Sequence, residues 1–342
     1  MNTNDFDYFL PKSLIAQEPI ECRDHSRLMV LDKGTNKIKD KFFYDLPDYL
    51  KPGDVLVFND TKVIPARIYG RAIKSNKDVE LLLLSKGKDG TWKALVKPGK
   101  RMKIGDTFSI NSKLGNNVEG EILDIEDDGI RIVRLSGDYE LENIGELPLP
   151  PYINAKIPDP NRYQTVYSKY DGSVAAPTAG LHFTNELLER LTDLGIKLAY
   201  VTLHVGIGTF KPVAVDNVND HKMHSEWWEL NEEAVNVIND AKVNGNRIIS
   251  VGTTSARLLE HASTKQSTKY LKADSGWADI FIYPGYEFKI IDGLITNFHL
   301  PKSTLLMLIS AFASRDFIFD AYRRAIESEY RFYSFGDAMF IM

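Results

Sequence analysis

The spacing of apolar positions changes along this chain, and each change marks a different kind of structure. Before residue 60 an apolar run over 28–32 reads as a strand, followed by a turn at Gly34 and a second strand. A short helical stretch near 46–50 comes next and, beyond Pro52-Gly53, a strand over 55–58. From about Arg67 to Leu147 only short alternating or β-rich runs remain, over 79–84, 91–96, 118–125 and 130–135, separated by turn signals such as Asp89-Gly90 and Asp128-Gly129. This succession predicts a small all-β module, a barrel or a sandwich.

Pro148, Pro150 and Pro151 close that stretch, and helical and strand periods then alternate. Residues 186–194 form an amphipathic helix that stops at Gly195, ahead of a strand over 196–203. Residues 232–243 form another helix, stopped by Asn244-Gly245. A buried-type strand over 248–251 opens through Gly252-Thr253-Thr254-Ser255 into a helix, and 294–296 leads through Asn297-Phe298-His299 into one that begins near Lys302. Because α/β character flanks the β-rich stretch on both sides, an insertion is the economical arrangement. The expected fold is an α/β main domain (1–66 and 151–342) with an inserted all-β, barrel-like second domain (67–150).

Length agrees with this division, since 342 residues exceed the ~100–200 usual for one domain. Residues 1–8 carry acids and no basic apolar run, so no secretory signal is expected. The longest apolar stretch, 305–313, falls short of the ~20 residues that cross a bilayer. Cys22 is the only cysteine, which rules out an internal disulfide and a thiolate zinc cage and fits a reducing cytoplasm. The net charge of −5 argues mildly against a nucleic-acid partner. Its distribution argues the other way. Lys62, Arg67, Arg71, Lys74 and Lys77 occur without an intervening acid, Lys93, Lys97, Lys100, Arg101 and Lys103 follow, and the compensating acids come later, from Glu119 to Asp128. A basic face and ordinary solvated strand charges both satisfy this pattern.

Candidate chemistry concentrates in the second half. His182, His204, His221, His224 and His299 fall within 182–299, most of them in runs rich in Gly, Thr, Ser and Pro. In open α/β folds the ligand crevice lies beyond the carboxyl ends of the strands, where at least three of these runs begin, so a single composite pocket is expected. Gly252-Thr253-Thr254-Ser255 is either an anion-holding helix start or a plain capped turn. A single histidine at a strand end is more often a structural group than a catalyst, whereas several in short polar loops favour function. His221, His224 and Glu226 have a spacing that admits a metal, although the His-Glu-x-x-His pattern is missing. Neither a Gly-x-Gly-x-x-Gly turn after a strand nor a Walker loop is present, which leaves ordinary Rossmann and P-loop chemistry unsupported.

Taken together these runs resemble one family, the S-adenosylmethionine:tRNA ribosyltransferase-isomerases of queuosine biosynthesis. The resemblance extends over essentially the whole chain. It rests on Leu14-Ile15-Ala16-Gln17, Ser26-Arg27-Leu28, Phe58-Asn59-Asp60-Thr61-Lys62-Val63-Ile64-Pro65-Ala66-Arg67, Val96-Lys97-Pro98-Gly99-Lys100-Arg101 and Pro148-Leu149-Pro150-Pro151-Tyr152. It continues through Arg162-Tyr163-Gln164-Thr165-Val166-Tyr167, the histidine-bearing runs, Tyr330-Arg331-Phe332 and Phe335-Gly336-Asp337-Ala338-Met339. Ala256, after the Gly-Thr-Thr-Ser turn, is a minor departure.

The resemblance implies transfer and isomerisation of the ribosyl part of S-adenosylmethionine onto 7-aminomethyl-7-deazaguanine at the tRNA wobble position. Epoxyqueuosine in tRNA would form, with adenine and methionine released. It also implies a monomeric cytoplasmic enzyme without metal, bound cofactor or obligate protein partner, S-adenosylmethionine being a co-substrate. Such chemistry needs a base near neutrality beside the sulfonium, for which His204, His224 and Glu226 are candidates, and a donor to the departing adenine, His182 or Asp337. Lys302 with Thr253, Thr254 and Ser255 would hold the methionyl carboxylate, and Phe298 or Trp227 would face the sulfonium. Thr178, Gly180, Gly206, Gly208 and His299 complete the expected substrate site, and Arg67, Lys97, Lys100 and Arg101 the expected tRNA contacts. The competing readings are a metal-dependent hydrolase of nucleoside-like substrates using His221, His224 and Glu226, and a tRNA-binding module without catalysis.

Overall fold

The computed structural model describes residues 1–126, 129–155, 157, 159–206, 213–267 and 270–342. The chain folds as two compact units. One contains Met1–Thr61, Pro150–Tyr170 and Ala176–Met342, the other Lys62–Leu149 and Asp171–Ala175.

In chain order the strands up to the second unit are β1 (Arg27–Asp32), β2 (Lys37–Phe42), β3 (Val55–Asn59) and β4 (Thr61–Val63). The second unit contributes β5 (Arg67–Ala72), β6 (Asp78–Lys86), β7 (Trp92–Lys97), β8 (Thr107–Asn111), β9 (Asn117–Ile125) and β10 (Arg131–Ser136). A single helical turn α1 (Leu141–Ile144), the short β11 (Gly145–Glu146) and β12 (Tyr170–Ser173) follow. The remainder is α2 (Asn185–Asp193), β13 (Lys197–Leu203), β14 (Glu226–Leu230), α3 (Glu232–Val243), β15 (Ile248–Val251) and α4 (Thr253–Gln266). It ends with β16 (Asp274–Ala278), β17 (Gly293–Asn297), α5 (Thr304–Ala313), α6 (Arg315–Glu327) and β18 (Ala338–Ile341).

The first unit is organised around a mixed sheet of order β16-β14-β13-β3-β15-β17-β18-β1-β2. Its central strands β3, β15 and β17 are buried at every position, as expected of strands covered on both faces. Helices form where the sequence supplies caps. The Thr184 hydroxyl accepts from the Leu187 amide at the start of α2, and the Asn231 carboxamide accepts from the Ala234 amide at the start of α3. The apolar stripe of α2, Leu187, Leu188 and Leu191, packs on the sheet beside Leu56, Phe58 and Phe183. Where a short helix was expected near 46–50, a 3-10 helix runs over Phe43–Tyr49, with Pro47 inside it. Among the described residues no helix is long and apolar enough to cross a membrane.

In the second unit six antiparallel strands run in the order β5-β6-β7-β10-β9-β8, and pairing of β8 with β5 closes them into a barrel, with β11 on the outer side of β5. Inward positions alternate with outward ones, so Val79, Leu81 and Leu83 point in with Ala94, Phe108, Ile110 and Ile122. Gly120 is required by Phe108: a Cβ there would meet the ring at 2.1 Å. The fold is therefore the one the periodicity predicts, an α/β sheet unit with an inserted antiparallel barrel.

Candidate active site

Topology brings the polar runs to one rim. Strands β13, β3, β15 and β17 are parallel and end on the same side of the sheet. There the antiparallel β14 and β18 begin, as does β1, which runs parallel to β18. Asn59, the last residue of β3, is the hub. Its carboxamide donates to the Leu203 carbonyl (2.9 Å) and Thr254 Oγ1 (3.3 Å) and accepts from the Leu203 amide (3.0 Å). One fully buried side chain thus ties together β3, β13 and the start of α4.

His204, just beyond β13, is half-buried. Its amide donates to the Trp227 carbonyl (2.9 Å), Thr61 Oγ1 lies 2.7 Å from its Nδ1, and its ring stacks on Trp227 at 5.2 Å with a 21° interplanar angle. Imidazole orientation is thereby set from two sides, by Thr61 and by the Trp227 face. Glu226 is buried. Its Oε2 accepts from Arg257 Nη1 at 2.5 Å and its Oε1 from the Gly206 amide at 2.9 Å. As a base it is a poor candidate, because both oxygens are already engaged and one faces a guanidinium. His224 is exposed.

Between these groups and the far side of the sheet lie Thr253, Thr254 and Ser255, the first turn of α4. Gly252 precedes them with φ 89°, and no side chain caps the helix start. Ser255 Oγ donates back to the Val251 carbonyl (3.0 Å), so its hydroxyl is committed within the helix.

At β17 and β18 the surroundings differ. His182 is buried, Ser26 Oγ sits 2.7 Å from its Nδ1, and its ring stacks on Phe43 at 4.9 Å. Burial pushes its pKa down to about 4. Its Nε2 is enclosed, with the Asn297 side chain as a polar neighbour. His299 is held by Thr296 Oγ1 at 2.8 Å from its Nε2, and burial lowers its pKa to about 3. Asp337, expected as a donor to adenine, instead accepts the amides of Arg27 (2.9 Å) and Arg331 (2.8 Å), one on each oxygen. It is a clasp between the start of β1 and the turn leading into β18, and burial raises its pKa. Phe298, expected to face a sulfonium, is fully buried among Tyr322, Tyr330 and Phe332.

Lys302 Nζ pairs with Asp7 Oδ2 at 3.0 Å, so its charge is already balanced. Gly180 is a close-approach position, since a Cβ there would lie 1.9 Å from the Tyr167 hydroxyl. Thr178 begins the same buried 3-10 turn and is itself only half-buried. Gly208 lies outside the described residues. The chain enters 207–212 with the Gly206 amide on Glu226 and leaves it with the Val213 amide on the Lys302 carbonyl (3.1 Å).

On the barrel, Glu80 lies between two of the expected tRNA contacts, 3.5 Å from Arg67 Nε and 3.7 Å from Lys97 Nζ. Lys100 and Arg101 are exposed and have no ion pair among the described residues. Glu226 is occupied by Arg257, which dismantles the His221, His224 and Glu226 ligand set; among the described residues no group of three or more His, Cys, Asp or Glu side chains is placed to hold a metal.

Sequence reasoning missed Thr61, Asn59 and Arg257 as site residues. The first two lie inside the run Phe58-Asn59-Asp60-Thr61, whose polar end after a buried strand was the available signal. Arg257 had none, because a buried partner for Glu226 cannot be located without the fold.

Known proteins resemble this chain along its whole length. Residues 3–341 match the profile of the family described as queuosine biosynthesis protein. The S-adenosylmethionine:tRNA ribosyltransferase-isomerase of Finegoldia magna is 54% identical over 345 residues, covering 100% of this chain and 98% of that protein. The enzyme of the same name from Staphylococcus saprophyticus is 53% identical over 346 residues, with 100% of each chain covered. The crystal structure of an S-adenosylmethionine tRNA ribosyltransferase from Thermotoga maritima superposes with a TM-score of 0.56 at 39% identity, over 99% of this chain and 100% of that one. With a family profile spanning both units and relatives alike from end to end, the chain belongs to the queuosine biosynthesis protein family.

Proposed function

We propose that this protein transfers and isomerises the ribosyl part of S-adenosylmethionine onto 7-aminomethyl-7-deazaguanine at the wobble position of tRNA. The product is epoxyqueuosine in tRNA, and adenine and methionine leave. The observation that carries the reading is end-to-end identity above half with relatives named S-adenosylmethionine:tRNA ribosyltransferase-isomerase. His204 is the base that removes a proton from the ribose carbon beside the sulfonium. Thr61 on its Nδ1 and the Trp227 face fix its orientation, which is what a positioned base requires. Trp227 also offers the sulfonium a cation–π contact of ~0.5 to 2 kcal/mol. The uncapped first turn of α4 receives the methionyl carboxylate on its amides, joined by Lys302 when Asp7 releases it. Lys100 and Arg101 contact tRNA phosphates; reversing both charges should lower tRNA affinity and reduce the salt slope by roughly 2, with S-adenosylmethionine affinity unchanged.

Two labelled co-substrates test the central claim. Carbon label in the ribose should end in tRNA and methyl label in methionine, with free adenine formed in step. Methyl label retained on tRNA without adenine would falsify it.

A further inference from the structure

Asp60 carries a buried carboxyl group that the proposed mechanism leaves unused. The residue is 4% exposed, its Oδ1 accepts from Thr202 Oγ1 at 2.7 Å, and it takes part in no ion pair among the described residues. Burial raises its pKa. The nearest opposite charge is the Lys169 ammonium, which acts on Asp60 without forming an ion pair, so this withdrawn carboxyl group either binds a proton or accepts a closer cation.

The space beside it suits a particular cation. A cavity of about 270 Å³ is lined by Asp60, Tyr167, Lys169, Tyr170, Tyr200 and Glu233. Its aromatic wall is stiff: Tyr167 and Tyr200 have ring centroids 5.7 Å apart, and Phe58 backs both, at 4.9 Å from Tyr167 and 5.6 Å from Tyr200. The Lys169 ammonium lies 5.0 Å from the centre of the Tyr170 ring. Two carboxyl groups against one ammonium, with flat aromatic sides, favour a planar ligand carrying positive charge. Asp60 is also the immediate neighbour of Thr61, which holds His204.

We propose that this cavity is the subsite for a planar heterocycle bearing a primary ammonium, with Asp60 as its counter-ion and the tyrosines as its stacking surface. Resting on the function proposed above, this assigns the cavity to the aminomethyl group and ring of the tRNA base. The duller alternative is a protonated Asp60 that serves only to accept from Thr202.

Two anticodon stem-loops decide between them, one bearing 7-aminomethyl-7-deazaguanine and the other 7-methyl-7-deazaguanine at the modified position. Dissociation constants are measured with the wild type and with Asp60→Asn, which still accepts from Thr202. The wild type should prefer the aminomethyl RNA by on the order of 30-fold, and the variant should show almost no preference, with S-adenosylmethionine affinity unchanged. A wild type without preference overturns the proposal even if the variant folds poorly. So does a variant that weakens both RNAs equally or neither, or one that loses only S-adenosylmethionine. Adenine release by the wild type on the aminomethyl RNA, followed in parallel, reports on the activity itself, so failure of the subsite is distinguishable from failure of the reaction.

Discussion

His204 and His182 stand on the same rim of the same sheet, in runs of similar composition, and meet opposite surroundings. His204 is half-open, with Thr61 on one nitrogen, Trp227 against its face and the buried Glu226–Arg257 pair close by in the fold. His182 and His299 are enclosed, kept neutral by burial, and packed among aromatic rings and hydroxyls. Three strand spacings separate β13 from β17, about 14 Å at ~4.8 Å each. The difference shows that a polar rim is not one uniform pocket. Its β13 end keeps an imidazole half-open and balances charge with charge, whereas at its β17 end burial keeps the imidazoles neutral. Burial, rather than residue type, separates an accessible histidine from an enclosed one.

The largest effect should come from exchanging the reachable histidine. His204→Ala is expected to lower kcat by roughly 10² to 10⁴ while the melting temperature stays near wild type. The same change at His182 should act on the melting temperature first, because it empties a buried, stacked site. Steady-state kinetics and thermal melts of both variants check this, and a strongly destabilised His204→Ala with normal turnover per folded molecule would erase the distinction between the two ends.

That distinction was only half visible in the sequence. Periodicity carried the sheet unit, the inserted barrel and the helix stops, because these depend on local spacing and on caps such as Thr184 and Asn231. It also placed His204 correctly at a strand end. What it could not show was contact across the sheet. Asp337 looked like a free acid until its two amide donors were located, 6 and 310 residues away in sequence. Glu226 looked like a base until Arg257 was found against it, and Phe298 like a ligand face until three aromatic neighbours closed over it. Each of these depends on partners that only tertiary packing supplies. Asp60 was part of a quoted motif yet received no role, since its burial beside Thr202 and the tyrosines is likewise a tertiary fact.

Next in size is the charge pair that supports the reachable end. Arg257→Met takes the guanidinium away from the buried Glu226 carboxylate and should cost about 3 to 5 kcal/mol of stability. Adding Glu226→Leu should recover most of that loss in a chemical-denaturation series, yet leave activity low, because the Gly206 amide has then lost its acceptor. If the double variant is no more stable than the single one, charge balance is not what holds this end together.

Packing alone should govern the other end. Gly180→Ala would place a methyl group 1.9 Å from the Tyr167 hydroxyl, so the 3-10 turn carrying His182 must shift, at roughly 1 to 3 kcal/mol. Pairing it with Tyr167→Phe removes the clashing oxygen and should return part of the loss. No recovery in the pair would mean that the turn is strained for another reason.

The smallest effect is a slope in pH, and it belongs to the neutral end. In the unfolded chain both histidines take up protons around the ordinary value near 6.5. In the folded protein burial delays this to about 4 for His182 and about 3 for His299. Between those limits the unfolded state binds more protons, so their contribution makes stability fall as pH drops below about 6.5, by up to ~1.4 kcal/mol per pH unit for each histidine. Above about 6.5 both states are neutral at these positions, and they add no pH dependence. Asp337 works against this at the acid end, because burial raises its pKa and its proton is taken up earlier in the folded state. Melting temperatures measured from pH 7.5 to 4.5 should therefore decline more steeply for the wild type than for His182→Gln, which accepts no proton. The two curves are expected to converge towards pH 4.5 after the variant starts lower at pH 7.5. Parallel curves would mean that folding leaves the His182 pKa at its ordinary value, and the β17 end would then take up charge as pH falls below about 6.5.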